Sequence, residues 1–155
     1  MRTNPIRIVT ETPIQADAAI VWSILSDFEG YPDWNPFIRM AAGALAPGEA
    51  VRFRFALPSR LKVPASGVIT CCEPGRELRW AGHMLSPLVM RADHFFILEP
   101  AGPGRIVLVH GEHLGGVMAA MLLAGLGWHL RQAYQCMNLA LKSKAEKRAD
   151  DKGHG

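Results

Sequence analysis

His94, His110 and Glu112 are the side chains of this sequence whose types and spacing best suit chemistry. His110 and Glu112 stand two apart in "IVLVHGEHL", and His94 opens "HFFILEP". In extended backbone, residues two apart share a face. One face of the later segment then carries Ile106, Leu108, His110, Glu112 and Leu114, and one face of the earlier carries His94, Phe96 and Leu98. Trp80 follows Leu78 to the same side in "ELRWAGHM", while His83 falls on the opposite parity. An imidazole beside a carboxylate can act as an acid–base pair or polarise a ligand carbonyl. It can equally satisfy itself and orient a bound molecule, because buried ionisable groups must find partners or change protonation state. The two readings predict either catalysis by His110 and Glu112 or binding without turnover.

Other chemistries find less support. His94, His110 and Glu112 form a three-ligand set in principle. Yet His110 and His113 lie on opposite faces of a strand and the helical HExxH spacing is absent, so no metal is assigned. The chain has no G-x-S-x-G elbow, P-loop or Rossmann fingerprint, which argues against serine hydrolysis and nucleotide chemistry and leaves no cofactor to place. Cys71 and Cys72 alternate faces, and with Cys136 make an odd number, so reduced thiols and a cytoplasmic location are expected.

The elements that must position these groups follow from periodicity. "IRIVTETPI" alternates as a first strand ending at Pro13, and Asp17 then stands at an N-cap position. Val21, Ile24, Leu25 and Phe28 recur at helical spacing. Gly30 stops that helix before "YPDWNPFI", too rich in proline for a long helix and too aromatic for a solvent loop. In that segment Asn35 is placed to fix a turn through its side chain. From 38 to 114 the period becomes two. "AVRFRFAL" sets Val51, Phe53, Phe55 and Leu57 against Arg52 and Arg54, and turn signals divide the stretch into about six short strands. The last third predicts one long helix from Gly116 to Lys147. Its stripe is Leu126, Leu130, Ala133, Met137 and Ala140, with Arg131, Gln135, Asn138 and Lys142 opposite. An antiparallel sheet needs one face covered, and this helix is the element to cover it.

A chain of 155 residues with 20% charged side chains has the length and composition of one globular domain, here 1–147, followed by a polar tail, 148–155. The net charge is +3, but the basic residues are scattered without interleaved aromatics, so nucleic acid is not an expected partner. The N-terminus shows no apolar h-region. Segment 114–130 lacks Asp, Glu, Lys and Arg, but it is shorter than the ~20 residues a span needs, so stable membrane insertion is not expected.

The order of elements, with "AIVWSILSDFEGYPDWNPFI", "EPGRELRW", "FFILEP", "VLVHGEHLGG" and "MNLALKSKAEK", resembles the START-like (SRPBCC) helix-grip superfamily, in particular its polyketide cyclase/dehydrase-like branch. The resemblance implies an α+β helix-grip fold. A curved seven-stranded antiparallel sheet wraps a long C-terminal helix around an apolar pocket, with two short helices between strands 1 and 2. It also implies a lipid, polyketide or other aromatic compound as guest. Pocket candidates are Trp34, Phe37, Phe53, Phe55 and Trp80 at the sheet, with Phe96 and Leu108 beside His94, His110 and Glu112. On the helix they are Met118, Met121, Leu122 and Gly125. A third reading is a protein-interaction module, in which the outer face of Phe95, Ile97, Val107 and Val109 meets a partner or forms a homodimer.

Overall fold

The computed structural model describes residues 6–56, 62–84 and 86–153, so Leu57 lies outside the described residues. The chain runs β1 (Ile6–Ile14), α1 (Ala18–Leu25), α2 (Tyr31–Trp34), β2 (Ile38–Gly43), β3 (Ala50–Ala56) and β4 (Lys62–Glu73). It continues through β5 (Glu77–Met84), β6 (Met90–Pro100), β7 (Ile106–Gly115) and α3 (Ala119–Gly153). The strands form one antiparallel sheet in the order β1-β7-β6-β5-β4-β3-β2. This is the helix-grip fold that the sequence resembles.

Strands β2 to β7 follow one another as hairpins, as short turns dictate. β1 returns to the far edge and pairs with β7, Thr10 opposite His110. α1 and α2 fill the connection from that edge to β2 on the other. Register shifts at Ile38/Met40 and Ile69/Cys71 insert extra residues, and such bulges bend and twist the strands that carry them. β4 pairs with β3 over residues 62–68 but with β5 only from Val68 onward. Pro64, which cannot donate, falls in the part without a β5 partner. Where the strands cross, a Cβ on Gly67 would lie 2.7 Å from the Ala81 carbonyl oxygen, and one on Gly82 would lie 2.6 Å from that of Ser66. Only glycine permits that approach.

β1 continues through Pro13 to Ile14, one of several departures from the expected pattern. Pro13 is exposed on an edge strand, where the missing donor matters least. α3 likewise passes the expected end at Lys147. In the expected tail, Arg148 donates to Ser23 Oγ and Ala149 packs against the core, so this turn is held by α1. On the outer sheet face, Phe95 is buried rather than bare. The Arg79 guanidinium lies 4.9 Å above its ring and the His113 ring 5.0 Å from it. Arg79 is itself held at 2.8 Å by both Glu77 and Asp93.

The core lies between the concave sheet face and α3. Ile8, Ile14, Phe53, Leu78, Phe96 and Leu108 come from the sheet; Tyr134, Met137, Leu141 and Ala145 come from the helix. The helix packs mainly on β1 and α1, then on β7.

Candidate functional site

Strand parity brings His94, His110 and Glu112 to the concave face, as the spacing predicts. His94 and Glu112 are direct cross-strand partners, and His110 pairs with Phe96 one step along. The arrangement differs from a simple His110–Glu112 pair. Both His110 ring nitrogens are engaged elsewhere: Nδ1 with Asn138 Oδ1 at 2.6 Å and Nε2 with His94 Nε2 at 2.9 Å. The histidine facing Glu112 is His94, whose Nδ1 is 4.0 Å from Oε1. Residues two apart on a strand point the same way but stand roughly 7 Å apart, so an intervening partner is natural.

The bonds fix the proton positions. Asn138 donates through Nδ2 to Thr10 Oγ1 at 2.9 Å and Thr12 Oγ1 at 3.2 Å. Its oxygen therefore accepts, and His110 donates from Nδ1. The Thr10 hydroxyl donates in turn to the His110 carbonyl at 2.9 Å. His110 Nε2 is then the acceptor and His94 Nε2 the donor. This leaves the lone pair of His94 on Nδ1, facing Glu112. Burial favours these neutral rings. It lowers the His110 pKa to about 3 despite the Asn138 bond, and it lowers that of His94 well below the usual range with help from the neighbouring His110.

Glu112 behaves oppositely. Burial raises its carboxyl from 4.5 to about 7, although Tyr134 opposes the shift by donating its hydroxyl to Oε2 at 2.6 Å. Burial and the adjacent carboxylate in turn hold the Tyr134 hydroxyl well above its ordinary range. The site therefore contains one carboxyl poised to gain or lose a proton near neutrality. A line of neutral, hydrogen-bonded groups runs behind it.

Aromatic rings surround this line. Trp80 stacks on His94 at 4.5 Å and Phe96 on His110 at 4.3 Å, while Tyr134 lies 4.5 Å from His110. Phe53 packs 4.6 Å from Trp80; Phe55 stacks on Phe37 at 5.0 Å; Phe37 meets the edge of Tyr134. Leu108 is fully buried in the same core. Of the "YPDWNPFI" residues, Phe37 thus reaches the site. Trp34 is half-buried against Tyr31 at the α1–α2 end and makes its ring contact there. Asn35 fixes the turn as expected, its Oδ1 accepting from the Phe37 and Ile38 amides at 2.9 and 2.8 Å.

Helix α3 and strand β1 supply residues that the sequence pattern does not single out. Tyr134, Asn138, Thr10 and Thr12 complete the network. Asn138, which the periodicity puts on the solvent side, is fully buried. A signal for it exists: Thr10 and Thr12 share parity with Ile8 and Ile14, which are buried. Two inward hydroxyls demand a polar partner opposite. Conversely, Met118, Met121 and Gly125 do not reach the interior. Tyr134, Met137, Leu141 and Ala145 set the phase of α3, and at about 100° per residue Met121 and Gly125 fall on its far side, exposed. The Leu122 side chain lies outside the described residues.

One part of the inner helix stripe is open. Ala119, Leu123, Leu126, Leu130 and Tyr134 continue the buried face of α3 toward its start. Ala119 and Tyr134 are buried, yet between them Leu123 and Leu130 are only partly covered and Leu126 is 43% exposed. Leu123 and Leu130 pack partly against the core, and Leu126 stands largely in water, so among the described residues this is the least covered part of the inner stripe.

A protein family described as polyketide cyclase/dehydrase and lipid transport matches residues 5–146. The chain belongs to that family. Among solved structures, the Zhui aromatase/cyclase from Streptomyces sp. R1128 is similar with a TM-score of 0.76 and 16% identity, covering 93% of this chain and 95% of that one. The di-domain aromatase/cyclase StfQ of the steffimycin biosynthetic pathway has a TM-score of 0.76 at 14% identity, covering 95% of this chain and 53% of the longer one. A START superfamily protein from Mycobacterium smegmatis has a TM-score of 0.60 at 19% identity, covering 94% and 97%. No curated protein matches the chain significantly. At these identities the likeness is one of fold, and this family member's activity must be argued from its own residues.

Proposed function

We propose that the chain binds an apolar small molecule, of aromatic or acyl character, in a cleft between the first half of α3 and the concave sheet face. The observation that carries this reading is the partly exposed interval of the inner helix stripe, Leu123 to Leu130, between buried Ala119 and Tyr134. Leucines that are only partly covered leave apolar area in water, at about 25 cal/mol per Å². A guest that covers them gains this energy. The aromatic site lies beside the buried end of the interval at Tyr134. There Glu112 can donate or accept a hydrogen bond, according to its protonation, and so recognise a carbonyl or hydroxyl on the guest. Apolar walls with few polar groups are the usual composition of such sites.

Native mass spectrometry of freshly purified protein, followed by titration with a panel of aromatic and acyl compounds, tests the proposal. A bound compound displaced by Leu126→Arg supports it. Absence of any binder across the panel, with Leu126→Arg indistinguishable from the parent, refutes it.

A second reading, acid–base turnover, is favoured by one observation: burial places the Glu112 pKa at about 7, where a general acid–base works best. In that case Glu112 exchanges a proton with the guest while Tyr134 donates to its other oxygen. The neutral histidine pair fixes the geometry without titrating. Loss of turnover in Glu112→Gln with affinity retained distinguishes an enzyme from a binding module. The third reading, a protein-interaction module, gains nothing from Phe95, which Arg79 and His113 cover.

A further inference from the structure

The outward side of the same stretch of α3, together with the residues just before it, is apolar and bare. Val117, Met121 and Trp128 are between 69% and 82% exposed, as is Leu88 of the β5–β6 connection. Two backbone bonds join these segments into one tip: the Val117 amide donates to the Leu88 carbonyl at 3.1 Å, and that of Met118 to Val89 at 3.0 Å. Gly116 makes this junction possible. Its φ is +98°, and a Cβ there would lie 2.5 Å from the Val89 oxygen. Beside the tip, Ile6, Leu114, Val117, Ala119 and Ala120 line an open apolar hollow of about 330 Å³. An exposed tryptophan, an exposed methionine and branched aliphatics on one end are more than scattered surface residues.

The charges around the tip are mostly positive. Segments 84–90 and 114–130 carry no Asp, Glu, Lys or Arg. Arg91 flanks the tip on β6, its side chain over Gly115. Arg7 flanks it on β1, donating to His113 at 3.1 Å, and Arg131 closes the helical side, donating to the Val9 carbonyl at 3.0 Å. Asp93, two residues along β6, is already held by Arg79 at 2.8 Å.

We propose that this tip is a docking surface for an anionic lipid bilayer. Leu88, Val117, Met121 and Trp128 enter the interface, and Arg7, Arg91 and Arg131 meet the headgroups. An amphipathic surface with a tryptophan and a basic rim has the composition that lies in an interface. Among the described residues no helix is long and apolar enough to cross a membrane, so a docked helix lies on the bilayer rather than through it. A second copy is the competing occupant of the apolar area. A two-fold contact through the tip would bring the arginine rims of both copies together, with no carboxylate in either apolar segment to offset them, which electrostatics disfavours. Docking stands apart from occupancy of the cleft, although the two adjoin on one helix, which gives a guest a path between bilayer and cleft along α3.

Co-sedimentation of the full chain with phosphatidylcholine vesicles, with and without a quarter of phosphatidylglycerol, tests the assignment. The parent protein is expected to sediment with the anionic vesicles, less at high salt, and with a blue shift in tryptophan emission. The double variant Leu88→Asp/Val117→Asp and the single variant Trp128→Ser, all at exposed sites, should each lose binding at least tenfold with unchanged circular dichroism. Failure to bind either vesicle, or equal binding by parent and variants, would overturn the proposal. Equal binding to neutral vesicles would overturn the role of the arginines. A parent dimer that Leu88→Asp/Val117→Asp converts to monomer, without vesicle binding, would assign the tip to a second copy instead.

Discussion

Substituting Glu112 by Gln should make the protein more stable at neutral and alkaline pH and leave it almost unchanged below a pH of about 4.5. The carboxyl has an unfolded pKa near 4.5 and a folded pKa raised to about 7 by burial. Below 4.5 both states hold the proton. Between 4.5 and 7 the unfolded chain has released it while the folded chain has not, so folding binds a proton and stability falls as pH rises. A tenfold change in a protonation constant is worth about 1.4 kcal/mol, so the whole interval amounts to about 3 kcal/mol. Glutamine keeps the shape and the oxygen that accepts from Tyr134, and it carries no charge. The parent curve also contains an opposing contribution. His94 and His110 have lowered folded pKa values, so the unfolded chain takes up protons below about 6.5 that the folded chain refuses, and stability is lost as pH falls. Taking the difference between Glu112→Gln and parent cancels that contribution. The assay is urea unfolding followed by tryptophan fluorescence at closely spaced pH values from just below 4.5 to mild alkali. The difference should grow from near zero to about 3 kcal/mol in favour of the variant. A difference that stays flat with pH would refute the reasoning, because Glu112 would then ionise as it does in the unfolded chain.

Tyr134→Phe removes the hydroxyl that steadies the Glu112 carboxylate. When Glu112→Gln is measured in that background, the pH at which the stability difference levels off should move upward. Asn138→Leu strands the His110 Nδ1 donor and leaves Thr12 without its amide partner. A loss of about 2–4 kcal/mol is expected from orphaned buried groups, read from the denaturation midpoint. Leu141→Ala, in the closed half of the helix stripe, should cost about 2–5 kcal/mol. Leu126→Ala, in the open half, should cost under about 1 kcal/mol, since its side chain already meets water. Equal losses at these two leucines, measured by thermal or urea unfolding, would contradict the open cleft.

Much of the fold is legible in the sequence because its signals are local. Period-two alternation in 50–56 and 106–114 sets the inward faces, and Pro-Gly turns separate the strands. The inward positions of Trp80, His94, Phe96, His110 and Glu112 follow from the pleat alone. The helix is harder to read. Over its 35 residues an apolar first half gives way to a charged second half, and no single stripe runs cleanly through both. A stripe taken from the second half therefore misplaces Asn138, and the apolar first half draws Met118, Met121 and Gly125 inward when the fold leaves them outside.

The sequence by itself determined the elements, their order and the face of each strand, because backbone geometry fixes side-chain direction within a strand. Only the tertiary structure decided that His94 stands between His110 and Glu112, that Tyr134 and Asn138 complete the line, and that the inner stripe of α3 is only partly covered between Leu123 and Leu130. Those facts depend on the register between β6 and β7 and on the rotation of α3 over the sheet. Both are set by packing summed over many residues distant in the chain, and no short segment carries them.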